Sequence, residues 1–397
     1  PIPACRTGWE ELPDPTRILL ANPLYLHLFM EAFDGQPAEA VTTVPMLFSR
    51  YVERALTAHS LTEHAGLKGS VEAVMALLLD DLSRPSADLT DDDCNAIRRA
   101  WGAGLSVEKE RLSLNPVEAM AHEGFIAKRV REEGGGYRFV FQAVAEYLLY
   151  RHLAAARPPG EDELAYWTCR AAAATVFPEY AGAFAFLLRD WTAKEKLALA
   201  GKLVETSPEW LREVLATFLV AQARSGYESG SGSAAAESAA RALAETGAAA
   251  TADALHGAAH QLSKTRFAVA ARTYFATCVG VREFLWKANP EHVGIGEGLG
   301  IGEGLGMALN NLGNLLRDAG RAQDAERAYR RSVEIYEALW KANPENVEIK
   351  AGYAAALCSI GRLEQAERLV DEVLAKVPQH PYARQLKDYI ASAKEGQ

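Results

Sequence analysis

Apolar residues recur every three or four positions over most of this 397-residue chain, which is the spacing of one face of an α-helix. Residues 161–191 and 193–223 both show this spacing, with interruptions near Pro178 and Pro208. Proline ends a helix because it lacks the backbone N–H and clashes with the preceding turn. The pattern predicts a mainly α protein in which these two stretches form one helical layer.

The N-terminal third has a different pattern. Residues 115–130 (NPVEAMAHEGFIAKRV) predict an amphipathic helix that leads into a short strand. Residues 132–141 (EEGGGYRFVF) predict a glycine turn and a second strand, and residues 142–156 predict another helix. The order helix, small β-hairpin, helix is typical of a winged-helix-like domain.

One internal repeat is plain in the C-terminal third. LWKANPE occurs at residues 285–291 and again at 339–345, a period of 54 residues. Between the copies, the hexapeptide GIGEGL is duplicated at residues 294–299 and 300–305. Glycine costs about 1 kcal/mol per residue relative to alanine within a helix. We therefore expect the duplicated segment to be a loop or a frayed helix that lengthens a turn.

Small and bulky residues alternate in a recognisable scheme in residues 307–339. Gly313 and Ala325 stand where two helices must approach closely, Gly320 stands at the turn, and Tyr329 is one of the bulky residues that interlock. This scheme resembles the tetratricopeptide repeat. Residues 351–381 repeat it, and residues 250–290 form a weaker preceding unit. The equivalent positions are Gly361 for the turn, Ala366 and Ala271 for the small residue, Phe275 for Tyr329, and Pro378 as terminator.

These patterns together predict five segments. They are a helical lid-like region (1–85), a winged-helix-like domain (86–155), a helical domain (156–224), a flexible linker (225–233) and a tetratricopeptide-type α-solenoid (234–397). The linker prediction rests on SGYESGSGS, which is rich in Gly and Ser and lacks apolar periodicity. Since residue 1 is Pro and the opening segment resembles a connector, we expect a fragment of a longer protein.

Composition narrows the function classes. A formal charge of −10 disfavours a nucleic-acid partner, because nonspecific affinity for phosphates comes mainly from clustered Lys and Arg. The five cysteines are scattered without a CxxC pair, which favours a reducing cytoplasm over a disulfide framework or a zinc site. The apolar stretch 139–153 contains Gln142, Glu146 and Arg151, so no membrane span is expected.

Other candidate sites have simpler explanations. His256 and His260 lie one helical turn apart, but no third ligand is nearby, so we expect packing and no metal. The run Asp91–Asp93 after Thr90 is typical of a helix start and less so of a cation site. Three basic residues beside the predicted wing could contact DNA phosphates, although two glutamates follow them: Lys128, Arg129 and Arg131.

The best candidate binding surface is the concave face of the repeats. With Gly313 at the eighth position of its unit, the groove-facing positions fall on Asn310, Asn314 and Arg317, which lie on one helical face. Two amides and a guanidinium can bind a peptide backbone or a carboxylate. The next unit has small residues at the equivalent places, which argues against a full clamp for a carboxylate: Ala351, Ala355 and Cys358. The alternative is that the three polar residues are only solvated.

Two motifs resemble the region that follows the nucleotide-binding core in STAND-class NTPases, especially the NACHT group. They are LLANPLYLHLF at residues 19–29, followed by LFSRYVERAL at 47–56, and YRFVFQAVAEYLLYRHLAA at 137–155. The resemblance implies that Pro23 packs near a bound nucleotide. It also implies that Phe141 occupies the place of a histidine that senses the phosphate, in the pattern that Phe139, Glu146, Tyr147 and Leu148 otherwise match.

No GxxxxGK[ST] phosphate loop occurs in the chain, so we expect neither ATPase activity nor a cofactor. The leading hypothesis is the non-catalytic sensor part of a STAND-type signalling NTPase, whose repeats bind a protein or peptide in the cytoplasm. The same part would contact an ATPase domain, upstream or within one chain. The alternatives are a stand-alone scaffold or co-chaperone adaptor and a winged-helix transcriptional regulator with a repeat sensor.

Overall fold

The computed structural model is mainly α, which confirms the predicted fold class, and its described residues form eighteen helices and one two-stranded sheet. They group into two compact units, Pro1–Asp190 and Trp191–Gln397. No described helix is both long and apolar enough to cross a bilayer. The structure describes residues 12, 16–17, 20–21, 23–33, 44–58, 66–102, 115–122, 124–129, 135–173, 175–191, 194–228, 234–288 and 297–395.

The N-terminal unit contains eight of these helices and both strands. In chain order they are α1 (Pro23–Ala32), α2 (Val44–Ala58), α3 (Gly66–Asp80), α4 (Asp91–Gly102), α5 (Pro116–His122), β1 (Ile126–Lys128), β2 (Tyr137–Phe139), α6 (Gln142–Ala155), α7 (Glu163–Ala171) and α8 (Pro178–Asp190). The predicted order of helix, hairpin and helix in residues 115–156 is therefore present.

The hairpin has one register. β1 and β2 pair antiparallel with Ile126 opposite Phe139, and Leu89 forms an isolated bridge to Tyr137. Helix α6 follows directly and buries Leu148 and Leu149 almost completely. Buried residues lie around most of the circumference of α6, which is typical of a helix in the core of a unit: Val144, Ala145, Tyr147, Leu148, Leu149 and Leu153.

The acidic run Asp91–Asp93 opens α4, as expected for a capping sequence. The Thr90 N–H donates to Asp93 Oδ2 at 2.8 Å, and the Asp93 N–H donates to Thr90 Oγ1 at 3.1 Å. This reciprocal pair satisfies two backbone donors at the helix start. The run therefore caps a helix.

The C-terminal unit is a series of helices. They are α9 (Lys194–Glu205), α10 (Trp210–Glu228), α11 (Ala234–Ala244), α12 (Ala249–Ser263), α13 (Ala268–Ala288), α14 (Glu297–Asp318), α15 (Ala322–Ala342), α16 (Val347–Ser359), α17 (Leu363–Lys376) and α18 (Pro381–Glu395). Helices α12/α13, α14/α15 and α16/α17 are the three predicted hairpins. The predicted linker begins within α10, and residues 229–233 lie outside the described residues.

The small residues occupy the positions predicted for them. Gly320 and Gly361 adopt φ values of +74° and +78° at the turns, a region that glycine enters without steric cost. Ala325 and Ala366 are buried, and a side chain at Gly313 would collide with the ring of Tyr329. The α14/α15 hairpin therefore closes through small residues, and Gly313 admits the ring of Tyr329.

The expectation that the duplicated hexapeptide forms a loop or frayed helix is wrong for the described part. Helix α14 begins at Glu297 and includes the whole second copy, whereas residues 294–296 lie outside the described residues. Several of its glycines contact large side chains: Gly302 meets Trp286, Gly304 meets Arg282, and Gly306 meets Tyr336. Burial of these side chains against bare backbone offsets the low helix propensity of glycine.

Candidate functional site

The predicted row Asn310, Asn314 and Arg317 lies along α14, and its two amides are engaged within the repeats. Ser359 Oγ lies 2.8 Å from Asn310 Oδ1, and the Tyr329 hydroxyl donates to Asn314 Oδ1 at 2.8 Å. Both amides are half-buried. Since their oxygens accept these bonds, the NH2 groups remain as donors, two on each side chain.

Arg317 is the exposed end of this row. Its side chain is 59% exposed, and Nε lies 3.5 Å from Asp318 Oδ1. An exposed pair of this kind contributes little to stability, because water screens it. The guanidinium is therefore available to a partner.

Arg317 also lines a cleft of about 400 Å³ between the α14/α15 hairpin and the turn that follows α16. The cleft is one of several surface concavities of the described residues, and it combines residues from both hairpins. Its lining consists of Arg317, Ala322, Ala325, Glu326, Tyr329, Arg330, Ser359, Ile360 and Arg362. A volume of this size accommodates one or two amino-acid side chains.

Tyr329 connects the cleft to the row on α14. Its ring packs against Gly313, its hydroxyl reaches Asn314, and the residue is 4% exposed. Burial raises the pKa of this phenol, while the Arg317 charge acts in the opposite direction. The neutral hydroxyl therefore holds the Asn314 oxygen in place.

The row does not continue onto the next hairpin. Ala351, Ala355 and Cys358 are buried on α16, and burial raises the pKa of the Cys358 thiol to about 11. These positions offer neither polar groups nor accessible surface. Of the positions predicted to face the groove, only those on α14 therefore carry polar groups.

The two residues that the STAND resemblance singles out lie in the N-terminal unit. Pro23 opens α1, and its side chain is outside the described residues. Phe141 directly precedes α6, and the centre of its ring lies 6.5 Å from that of Phe48. A ring in an aromatic pair packs the start of α6, and it supplies no donor to a phosphate.

The histidine pair shows the features of packing. The His256 ring stands edge-on to Phe275 with centroids 5.2 Å apart, and burial lowers its pKa to about 4. Within the described residues, no three His, Cys, Asp or Glu side chains come together as metal ligands would. His256 is therefore a half-buried residue that packs between α12 and α13.

The basic residues near the hairpin of the N-terminal unit are partly engaged. Arg129 Nη1 lies 3.6 Å from Asp88 Oδ2, and Lys128 is exposed at the end of β1. Arg131 lies outside the described residues. An arginine paired with a carboxylate is a weaker phosphate ligand than a free one.

Sequence reasoning missed two arginines of the cleft. Arg330 lies on α15, and Arg362 directly precedes α17, in a different repeat from Arg317. The periodicity of one helix relates residues only on that helix. A signal was present in the aligned turns, because Arg321 and Arg362 each follow a turn glycine.

Comparison with known proteins assigns the repeat. The tetratricopeptide repeat family matches residues 316–388, and no curated protein sequence matches the chain. Residues 316–388 of the C-terminal unit are therefore of the tetratricopeptide repeat type, which forms protein-interaction modules.

Among solved structures, a similar one is a signal transduction ATPase with numerous domains (STAND) that carries a tetratricopeptide repeat sensor, from Pyrococcus horikoshii. The sequences are 13% identical, the match covers 94% of this chain and 57% of that chain, and the TM-score is 0.19. This chain thus spans little more than half of that protein. At such a TM-score the two chains do not superpose as a whole.

Proposed function

We propose that this chain is a non-catalytic sensor module that binds a protein or peptide through the α14 row and the adjoining cleft. One observation carries the proposal: the α14/α15 hairpin, which enters the matched tetratricopeptide segment at residue 316, presents Arg317 beside the NH2 groups of Asn310 and Asn314. Amide donors bind backbone carbonyls, and guanidinium groups bind carboxylates. The surface therefore suits an extended polypeptide.

The proposal includes a place in a larger protein. The motifs around Pro23 and Phe141 support the regulatory part of a STAND-type NTPase, and the elements α5, β1, β2 and α6 support a winged-helix-like domain in residues 86–155. In such a parent, the ligand would shift a conformational equilibrium through its different affinities for the two states. The ion pair between Arg129 and Asp88 favours this hypothesis over a DNA-binding regulator.

Binding of the full chain to an array of randomised, amidated 12-residue peptides tests the proposal. The wild type should retain a subset of peptides, and the double variant Asn314→Ala/Arg317→Ala should bind those peptides about ten-fold more weakly or worse, since it loses charge-assisted hydrogen bonds. Isothermal titration calorimetry with a retained peptide gives the affinity.

Two further variants separate binding from folding. Asn314→Asp keeps the oxygen that accepts from Tyr329 but removes the NH2 donors, so it should weaken binding at an unchanged unfolding midpoint. The control Asn311→Ala/Arg327→Ala changes the same residue types in the same hairpin outside the cleft, and should bind normally. Retention of no peptide by the wild type, or equal binding by variant and control, would refute the proposed function.

A further inference from the structure

The cleft is a local concentration of positive charge in an acidic protein. Three guanidinium groups and one carboxylate line it, those of Arg317, Arg330, Arg362 and Glu326, although the whole chain carries a formal charge of −10. Charges of one sign that line a concave surface raise the local potential and attract ions of the opposite sign. The cleft is therefore complementary to an anion.

The arginines are only partly neutralised by the protein. Arg330 Nη2 lies 2.6 Å from Glu326 Oε1, and both side chains are largely exposed. Among the described residues, the one carboxylate near Arg317 is that of Asp318, at 3.5 Å. Arg362 has no carboxylate oxygen within 4.0 Å of its guanidinium in the part of the chain that the structure describes. At least one planar guanidinium donor set is thus unoccupied by a carboxylate.

The rest of the lining is apolar or weakly polar. Ala322, Ala325 and Ile360 contribute hydrocarbon surface, and Ser359 places a hydroxyl at the edge nearest Asn310. An inorganic anion would use only the arginines. An acidic side chain would use the arginines for its carboxylate and the apolar wall for its methylene groups, while its backbone reaches the amide donors of α14.

We infer that the cleft binds aspartate or glutamate side chains of an acidic peptide segment. This inference rests on the proposed function, because it names the class of peptide that the α14 row receives. Arginine is suited to the task, since its fork of N–H donors matches a carboxylate in a bidentate geometry. Because the contacts are partly exposed charges, binding weakens as ionic strength rises.

A paired peptide array tests the inference with the full chain. Each randomised, amidated peptide stands beside a copy in which every Asp is replaced by Asn and every Glu by Gln. The wild type should retain peptides that contain Asp or Glu and should lose most of their amide copies. Amidation removes the terminal carboxylate, so the signal reports side chains alone.

Variants assign the effect to the cleft. Arg362→Gln should weaken binding of a retained acidic peptide about ten-fold or more, because a charge-assisted hydrogen bond is lost. Arg330→Gln/Arg362→Gln should weaken it further. The matched control is Arg368→Gln, which removes the same charge from an exposed site on α17 outside the cleft and should leave affinity unchanged. Equal unfolding midpoints exclude a folding defect.

Four outcomes overturn the inference. If the amide copies bind as well as the acidic peptides, in a manner that still depends on Asn314, the proposed function stands and the acidic specificity is wrong. If Arg368→Gln is as harmful as Arg362→Gln, the effect is general charge. If inorganic phosphate binds the cleft while acidic peptides do not, the site takes a free anion. Retention of no peptide at all refutes the inference and the proposed function together.

Discussion

His256 is a half-buried base between α12 and α13 that is neutral above about pH 4. Its Nδ1 atom is buried without a hydrogen-bond partner among the described residues. Burial lowers the pKa from 6.5 to about 4, the nearby Arg282 and His260 act in the same direction, and Asp253 opposes them. A base whose pKa is lower in the folded than in the unfolded protein binds a proton more tightly after unfolding. Protonation therefore stabilises the unfolded state as the pH falls below the unfolded pKa.

His256 therefore predicts acid sensitivity. Between pH 6.5 and about 4 the unfolded chain binds more protons than the folded one, so stability should fall as pH falls and level off below pH 4. The loss is on the order of 3 kcal/mol, at about 1.4 kcal/mol per pKa unit. His256→Leu should flatten the pH dependence of denaturant unfolding across this window. His260→Leu, at an exposed position, should not, and identical profiles would contradict the explanation.

At the same scale, the sequence located only part of the candidate site. Arg317 could be placed because it follows Asn310 and Asn314 at helical spacing. Arg330 and Arg362 join it only when α15 packs on α14 and the next hairpin docks beside them, so the periodicity of a single helix could not place them next to Arg317. The hydrogen bond from Tyr329 to Asn314 likewise depends on the crossing of two helices.

At the scale of one element, helix α14 shows where propensity is overridden. The glycines predict weak helicity, because glycine destabilises a helix when its backbone is exposed to water. Here Tyr336 is held between Gly306 on α14 and Gly352 on α16, and the Arg282 guanidinium donates to the Gly304 carbonyl at 2.5 Å. The helical spacing of residues 307–318 was predictable from the sequence, whereas the tertiary contacts that keep the glycines in the helix were not.

Two alanine substitutions in α14 test this explanation with opposite signs. At Gly300 an added methyl group meets nothing within 4 Å, so Gly300→Ala should stabilise the protein by up to about 1 kcal/mol. At Gly306 it would lie 2.6 Å from Tyr336 Cε2, so Gly306→Ala should destabilise it by about 1–3 kcal/mol through overpacking. Urea unfolding measures both. Stabilisation by both substitutions would show that the ring moves freely.

At the scale of the whole molecule, composition and packing suggest different boundaries. Gly and Ser content places a break at residues 225–233, whereas the compact units divide between Asp190 and Trp191. Side chains explain the difference: the Tyr274 hydroxyl donates to the Leu219 carbonyl at 3.0 Å, and Glu205 Oε2 accepts from the Ala250 N–H at 3.2 Å. A polar connector in sequence says nothing about whether the helices on its two sides share a core.

Two fragments distinguish these boundaries. Residues 191–397 keep α9 and α10 with the helices that they cover, so this fragment should be helical and unfold cooperatively. The fragment 234–397 lacks α10. It therefore lacks three side chains that are buried in the full chain, those of Leu215, Phe218 and Leu219. Exposure of the surface that these side chains cover should lower the thermal midpoint by about 10 °C or more and promote association. Circular dichroism melts give both midpoints. Equal midpoints would place the boundary at 225–233 and would show that α9 and α10 do not stabilise the repeats.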